Sequence, residues 1–158
     1  MKHRMVKLGA FSVVGVKEFM STENGANFVN IPKMWDAIGG ETIAGLRELS
    51  DLEPSGVLGL CGNMHDNGFD YWIAAATTKE RPVGFEKLDV PACEWAVFEV
   101  IGAMPNAIQD AYKRLFSEWL PKSAYKHANA PEIEWYAVGD MCADDYRSEL
   151  WLPVLMSN

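Results

Sequence analysis

The residues best suited to chemistry stand near the end of the chain, in Tyr146-Arg147-Ser148-Glu149-Leu150-Trp151-Leu152-Pro153-Val154. Side chains of an extended strand alternate, so Leu150, Leu152 and Val154 share one face and Glu149, Trp151 and Pro153 the other. The first is a core face. The second sets a carboxylate beside an indole, and burying a carboxylate without a partner is costly. Two arrangements meet that constraint. Either Glu149 faces solvent on the open side of an antiparallel sheet, or Glu149 and Trp151 line a pocket for something cationic and flat. The spacing recurs in Asp70-Tyr71-Trp72-Ile73, where an acid again precedes a tryptophan by two positions.

Composition narrows what such a pair could serve. The 158 residues are 49% hydrophobic and 23% charged, a globular balance that excludes disorder and fits a single domain with a real core. Fourteen basic against 22 acidic residues give a net charge of −8. A chain so charged repels a phosphate backbone and attracts cationic small molecules, so no direct nucleic-acid contact is expected. Cys61, Cys93 and Cys142 are scattered and odd in number, which fits a reduced, cytoplasmic protein. His3, His65 and His127 form no metal-ligand spacing, and no segment suggests a cofactor. No apolar run approaches the roughly 20 residues of a membrane span. No nucleophile elbow or Cys–His signature marks a hydrolase.

The elements that must position these residues follow from periodicity. Residues 5–19 read as one long strand bent at a glycine. Asn30 reads as an N-cap, with Pro32 in the first turn of a helix whose face carries Ile31, Met34, Trp35 and Ile38. Gly39-Gly40 interrupts it, and a second helical piece runs to Leu49. Two strands, 56–61 and 69–78, read as a hairpin around the Asn63–Gly68 turn. Beyond them, 91–100 is a strand. Pro105 opens a helix with Ile108, Ala111, Tyr112, Leu115, Phe116 and Trp119 on one stripe, and Pro121 ends it. Strands over 132–138 and 146–155 complete the chain. Both halves, about 1–82 and 83–158, therefore read strand–helix–strand–strand. Two such units sharing a core predict an α+β fold with antiparallel sheets, pseudo-two-fold symmetry and a central groove.

Six stretches carry a resemblance to a known family. They are Ile31-Pro32-Lys33-Met34-Trp35, Leu88-Asp89-Val90-Pro91-Ala92, Trp95 through Gly102, Glu118 through Ser123, Glu132 through Tyr136, and Glu149 through Val154. In this order the chain resembles the GyrI-like small-molecule-binding domain, the effector-binding domain of AraC-type and MerR-type multidrug regulators. It departs in two ways. Trp95 stands where a tyrosine is usual, and no DNA-binding segment is fused, so a stand-alone form is expected and the regulator role does not carry over.

The resemblance implies a groove whose base holds a glutamate amid aromatic rings and binds lipophilic cations. Glu149 matches the acid of the final strand, and Glu134 a second acid one strand earlier, with Tyr136 on its face. Trp151, Trp72, Trp95 and Trp35 are the ring candidates, with Phe11 a further one. Each tryptophan has an equally simple place at a helix–sheet interface, and Tyr112 and Trp119 are assigned to the core. A small lipophilic cation is the expected partner, bound by a monomer or homodimer. Two other activities known in the family stay open: hydrolysis of strained-ring electrophiles in the same groove, and inhibition of a gyrase as a protein-binding module.

Overall fold

A computed structural model describes residues 1–157 of the chain. In chain order its elements are β1 (His3–Leu8), β2 (Phe11–Ser21), α1 (Ala26–Ala37), α2 (Gly40–Leu49), β3 (Leu58–His65), β4 (Gly68–Ala76) and β5 (Glu86–Val90). There follow β6 (Cys93–Ile101), α3 (Asn106–Arg114), β7 (Tyr125–His127), β8 (Glu132–Tyr136) and β9 (Arg147–Met156). The fold is α+β, and these strands pair antiparallel. The chain groups into two compact units, Ala10–Pro91 and a split unit made of Met1–Gly9 with Ala92–Asn158.

In the Ala10–Pro91 unit the strand order is β3-β4-β2-β5. The β3–β4 hairpin turns at Asp66 and Asn67, both at positive φ, where Asp and Asn are the side chains that tolerate it best. Met20, Leu46, Phe69, Tyr71, Ile73 and Ala75 form a buried core, with Met34, Trp35 and Ile38 of the α1 stripe packed against it. Gly15 is required where β2 meets β4, since a Cβ there would stand 2.1 Å from the Ile73 carbonyl oxygen.

The split unit has the order β1-β6-β9-β8, with β7 also on β9. Ala96, Phe98, Val100, Leu150, Leu152 and Val154 pack under Ala111 and Leu115 of the helical segment, so the core face of β9 is the one alternation predicts. Side chains of this kind contribute about 1.5–3 kcal/mol each when fully buried. A strand, a helical segment and two later strands recur in that order in the two units, as β2, α1–α2, β3, β4 and as β6, α3, β8, β9. The first and last strand of each set are adjacent in the sheet; β5 in one unit and β1 and β7 in the other stand outside this pattern.

Several expected boundaries move. The long strand of residues 5–19 is two strands in different units, β1 pairing with β6 and β2 with β4 and β5. Helix α1 starts at Ala26 after a 3-10 turn at Glu23–Gly25, so Asn30 lies within the helix and Pro32 sits in its interior. Pro121 likewise does not end the last helix. After α3 a π-helical turn spans Leu115–Trp119, the Leu120 N–H bonding the Leu115 carbonyl, and Pro121 falls in the final turn, Leu120–Lys122. Short β5 and β7 carried no alternation signal of their own.

Candidate functional site

The residues expected to line one groove are drawn from both units. Trp72, Trp35 and Phe11 belong to the Ala10–Pro91 unit, and Glu149, Trp151, Glu134, Tyr136 and Trp95 to the split unit. Within the split unit the two acids point to opposite faces of one sheet. Directly paired residues of an antiparallel ladder share a face. Glu134 pairs with Leu150, and Trp135 with Glu149, so Glu134 lies on the helix side and Glu149 on the other.

On the side away from the helix, β9 presents Glu149 and Trp151, both nearly buried. The Trp151 indole N–H donates to Glu149 Oε1 at 3.1 Å. Arg4 of β1 closes the group: its Nη1 donates to Glu149 Oε2 at 2.9 Å and its Nη2 to Oε1 at 3.4 Å. The guanidinium carbon also stands 5.8 Å from the Trp151 ring centroid, within cation–π range. Trp95 meets Trp151 edge to face at 6.2 Å, and its own buried Nε1 has no hydrogen-bond partner. Glu99 pairs directly with Glu149 across the ladder, an unfavourable juxtaposition of like charges. Lys2 at 3.0 Å and Arg147 at 3.7 Å bind Glu99 and hold its carboxyl below the usual range, the Lys2 hydrogen bond being the larger cause. This face thus answers two carboxylates with three cations, Lys2, Arg4 and Arg147.

On the helix side the setting is different. Glu134 is 3% exposed. Tyr112 of α3 donates its hydroxyl to Glu134 Oε2 at 3.0 Å, and Tyr136 donates to Oε1 at 2.7 Å. Both carboxylate oxygens are therefore held by phenols, which offset the cost of removing the acid from water. From Tyr112 a row of nearly parallel rings leads away. Phe116 lies 6.5 Å from Tyr112, and His127 6.3 Å from Phe116. Phe116 is 39% exposed, so the row runs from a solvated edge to a buried acid. His127 Nε2 lies 3.4 Å from Glu132 Oε1, and that contact raises the imidazole above its usual range. The π-helical turn re-aims the side chains that follow Arg114, and such turns occur frequently at functional sites.

Tyr112, assigned to the core by its stripe, is thus also a partner of the acid. The signal was a tyrosine where an apolar stripe needs only a phenylalanine. Arg4 gave no signal, since its partner lies 145 residues away in sequence. In the Ala10–Pro91 unit, Trp35 donates its indole N–H to the Tyr71 hydroxyl at 2.8 Å on the helix side of that sheet. Trp72 lies on the other side under Lys17, whose Nζ stands 5.6 Å from the ring centroid. Asp70, two positions before Trp72, is held by Asn63 at 2.9 Å and His65 at 2.9 Å. Phe11 shares that side at the far end of β2, opposite Val90. Among the described residues no cluster of His, Cys, Asp or Glu could hold a metal ion, and no helix is long and apolar enough to cross a membrane.

The sequence matches the family of GyrI-like small molecule binding domains over residues 1–155. The chain belongs to the GyrI-like family. It carries a small-molecule-binding domain of that type. SAV2435, solved bound to tetraphenylphosphonium, is 26% identical over 98% of this chain and 94% of its own, with a TM-score of 0.87. A protein from Staphylococcus aureus MU50 is also 26% identical, over 98% of both chains, with a TM-score of 0.79. The EcmrR C-terminal domain shares the fold, at 15% identity and a TM-score of 0.66 over 99% and 98% of the two chains. No curated protein matches the sequence. The GyrI-like chain thus has the α+β architecture its strand and helix periods predict.

Proposed function

We propose that this GyrI-like chain binds lipophilic cations, with the Glu134 carboxylate of the split unit as the charge that selects them. One observation carries the reading: a buried carboxylate is held at both oxygens by tyrosine hydroxyls, at the end of a row of aromatic rings. A carboxylate and a cation 4 Å apart attract by about 4 kcal/mol at an effective dielectric near 20, before desolvation is subtracted. Each ring face adds about 0.5–2 kcal/mol of cation–π attraction. Charge would choose the class of ligand, and ring area would tolerate many shapes within it. The likeness to a protein solved with tetraphenylphosphonium supports the same class.

Glu134 is favoured over Glu149 because the Glu149 face already holds more positive than negative charge. The binder is read as a reduced, cytoplasmic protein on the strength of its scattered free cysteines. The repeated order of the two units supports an internal duplication. The test is calorimetric titration of the protein with tetraphenylphosphonium and with triphenylphosphine oxide, a neutral analogue. The cation should bind at least about tenfold more tightly, a difference of about 1.4 kcal/mol. Equal affinities would remove the role of charge.

A further inference from the structure

Arg4 makes with Glu149 and Trp151 the contacts that a flat organic cation would make. Its guanidinium is planar and delocalised. One edge donates twice to the carboxylate, at 2.9 and 3.4 Å, and the Trp151 ring lies 5.8 Å from its carbon. The acid and the indole are held together by their own hydrogen bond and are nearly buried, whereas the Arg4 side chain is 55% exposed. The buried parts are thus the receptor and the exposed part is the cation.

The other acid-x-Trp strand shows that this is more than a charge drifting over a ring. Lys17 covers Trp72, but its ion pair is with Glu86 at 3.7 Å, while Asp70 is engaged by Asn63 and His65. Of these two strands, it is at Glu149 that one side chain bridges both the acid and the indole.

We infer that Arg4 is an intramolecular competitor: it occupies a second cation site formed by Glu149 and Trp151, and so sets that site's selectivity. The inference rests on the reading of the chain as a binder of lipophilic cations. The strand β1 that carries Arg4 lies at the edge of the split unit's sheet, so the side chain can leave for solvent without unpairing a central strand. A ligand binds only the fraction of molecules in which Arg4 has swung away, and its apparent affinity falls by that fraction. Removing the guanidinium should reveal the site.

The experiment titrates Arg4→Ala, alone and with Glu149→Gln, against thioflavin T, a flat organic cation, reading the quenching of tryptophan fluorescence. A parallel set carries Glu134→Gln, so that binding at Glu134 does not mask the effect. In that background Arg4→Ala should gain at least about tenfold in affinity, the factor for a site open less than a tenth of the time. Adding Glu149→Gln should abolish the gain. Arg4→Ala leaves Glu149 without its counter-ion, so a second measurement follows stability in place of dye binding. Methylguanidinium should raise the melting temperature of Arg4→Ala but not of Arg4→Ala/Glu149→Gln. No gain in affinity, or no selective rescue by methylguanidinium, overturns the inference. The failure of the proposed function looks different: wild-type protein would not bind tetraphenylphosphonium, while Arg4→Ala still gained affinity for the flat cation.

Discussion

Replacing Glu134 by glutamine tests the proposed charge with the least disturbance of shape. The amide oxygen can still accept one phenol hydrogen bond, from Tyr112 or Tyr136, which now stand at 3.0 and 2.7 Å. The other phenol then faces an amide NH2 and must turn its lone pair toward it. The fold should therefore survive, with a change in stability of about 1 kcal/mol or less. Cation binding should suffer more. The gross attraction of about 4 kcal/mol at 4 Å is reduced by the desolvation of both charges. A net loss of about 1–3 kcal/mol remains, the range for a charged contact, or roughly 5- to 150-fold in Kd. The assay is calorimetry of wild type and Glu134→Gln with tetraphenylphosphonium and triphenylphosphine oxide. The cation should lose affinity and the neutral compound should not. Equal losses for both would make Glu134 a shaping residue. No loss for either would place the binding charge elsewhere.

Two further outcomes follow from the same face of the split unit. Tyr112→Phe removes a donor from a buried carboxylate and should destabilise the protein by about 1–2 kcal/mol in urea denaturation, while the stacked ring beside Phe116 remains. A neutral effect would mean that the hydroxyl contributes nothing to holding the acid. His127 bears on pH. Its folded pKa is raised, first by the hydrogen bond to Glu132, above an unfolded value of about 6.5. The contact therefore stabilises fully below that value, and its contribution is lost as pH rises through the folded pKa. Denaturation midpoints of wild type and His127→Gln, taken from about pH 5 to about pH 9, should differ most at the acid end and converge at the alkaline end. A difference that grew with pH would reverse the assignment.

Much of the fold was legible because it depends on period. The stripe from Ile108 to Leu115 and the alternation from Glu149 to Val154 each bury one face, and the structure buries those faces. What period cannot give is register between strands. Alternation says that Glu134 and Tyr136 share a face, and that Glu149 and Trp151 do. It does not say whether the two pairs share one, and the pairing of Glu134 with Leu150 puts them on opposite sides. Residues 5–19 misled for a related reason. An apolar run reads as one strand whether or not the chain changes partner within it, and β1 and β2 join different units. Proline was read as a helix boundary at 32 and at 121, yet both sit inside helical turns. A proline forfeits one backbone hydrogen bond and crowds the preceding turn, and packing of the rest of the helix can outweigh that loss. Arg4 lay beyond any local signal, because an ion pair across 145 residues leaves no trace in spacing.

The most direct measurement is a crystal structure of the chain with tetraphenylphosphonium bound. The phosphorus should lie nearer the Glu134 carboxylate than any other acid, with phenyl rings against Tyr112 and Tyr136 on the helix side of the β9 sheet. A ligand seated away from Glu134 in otherwise unmutated protein would contradict it.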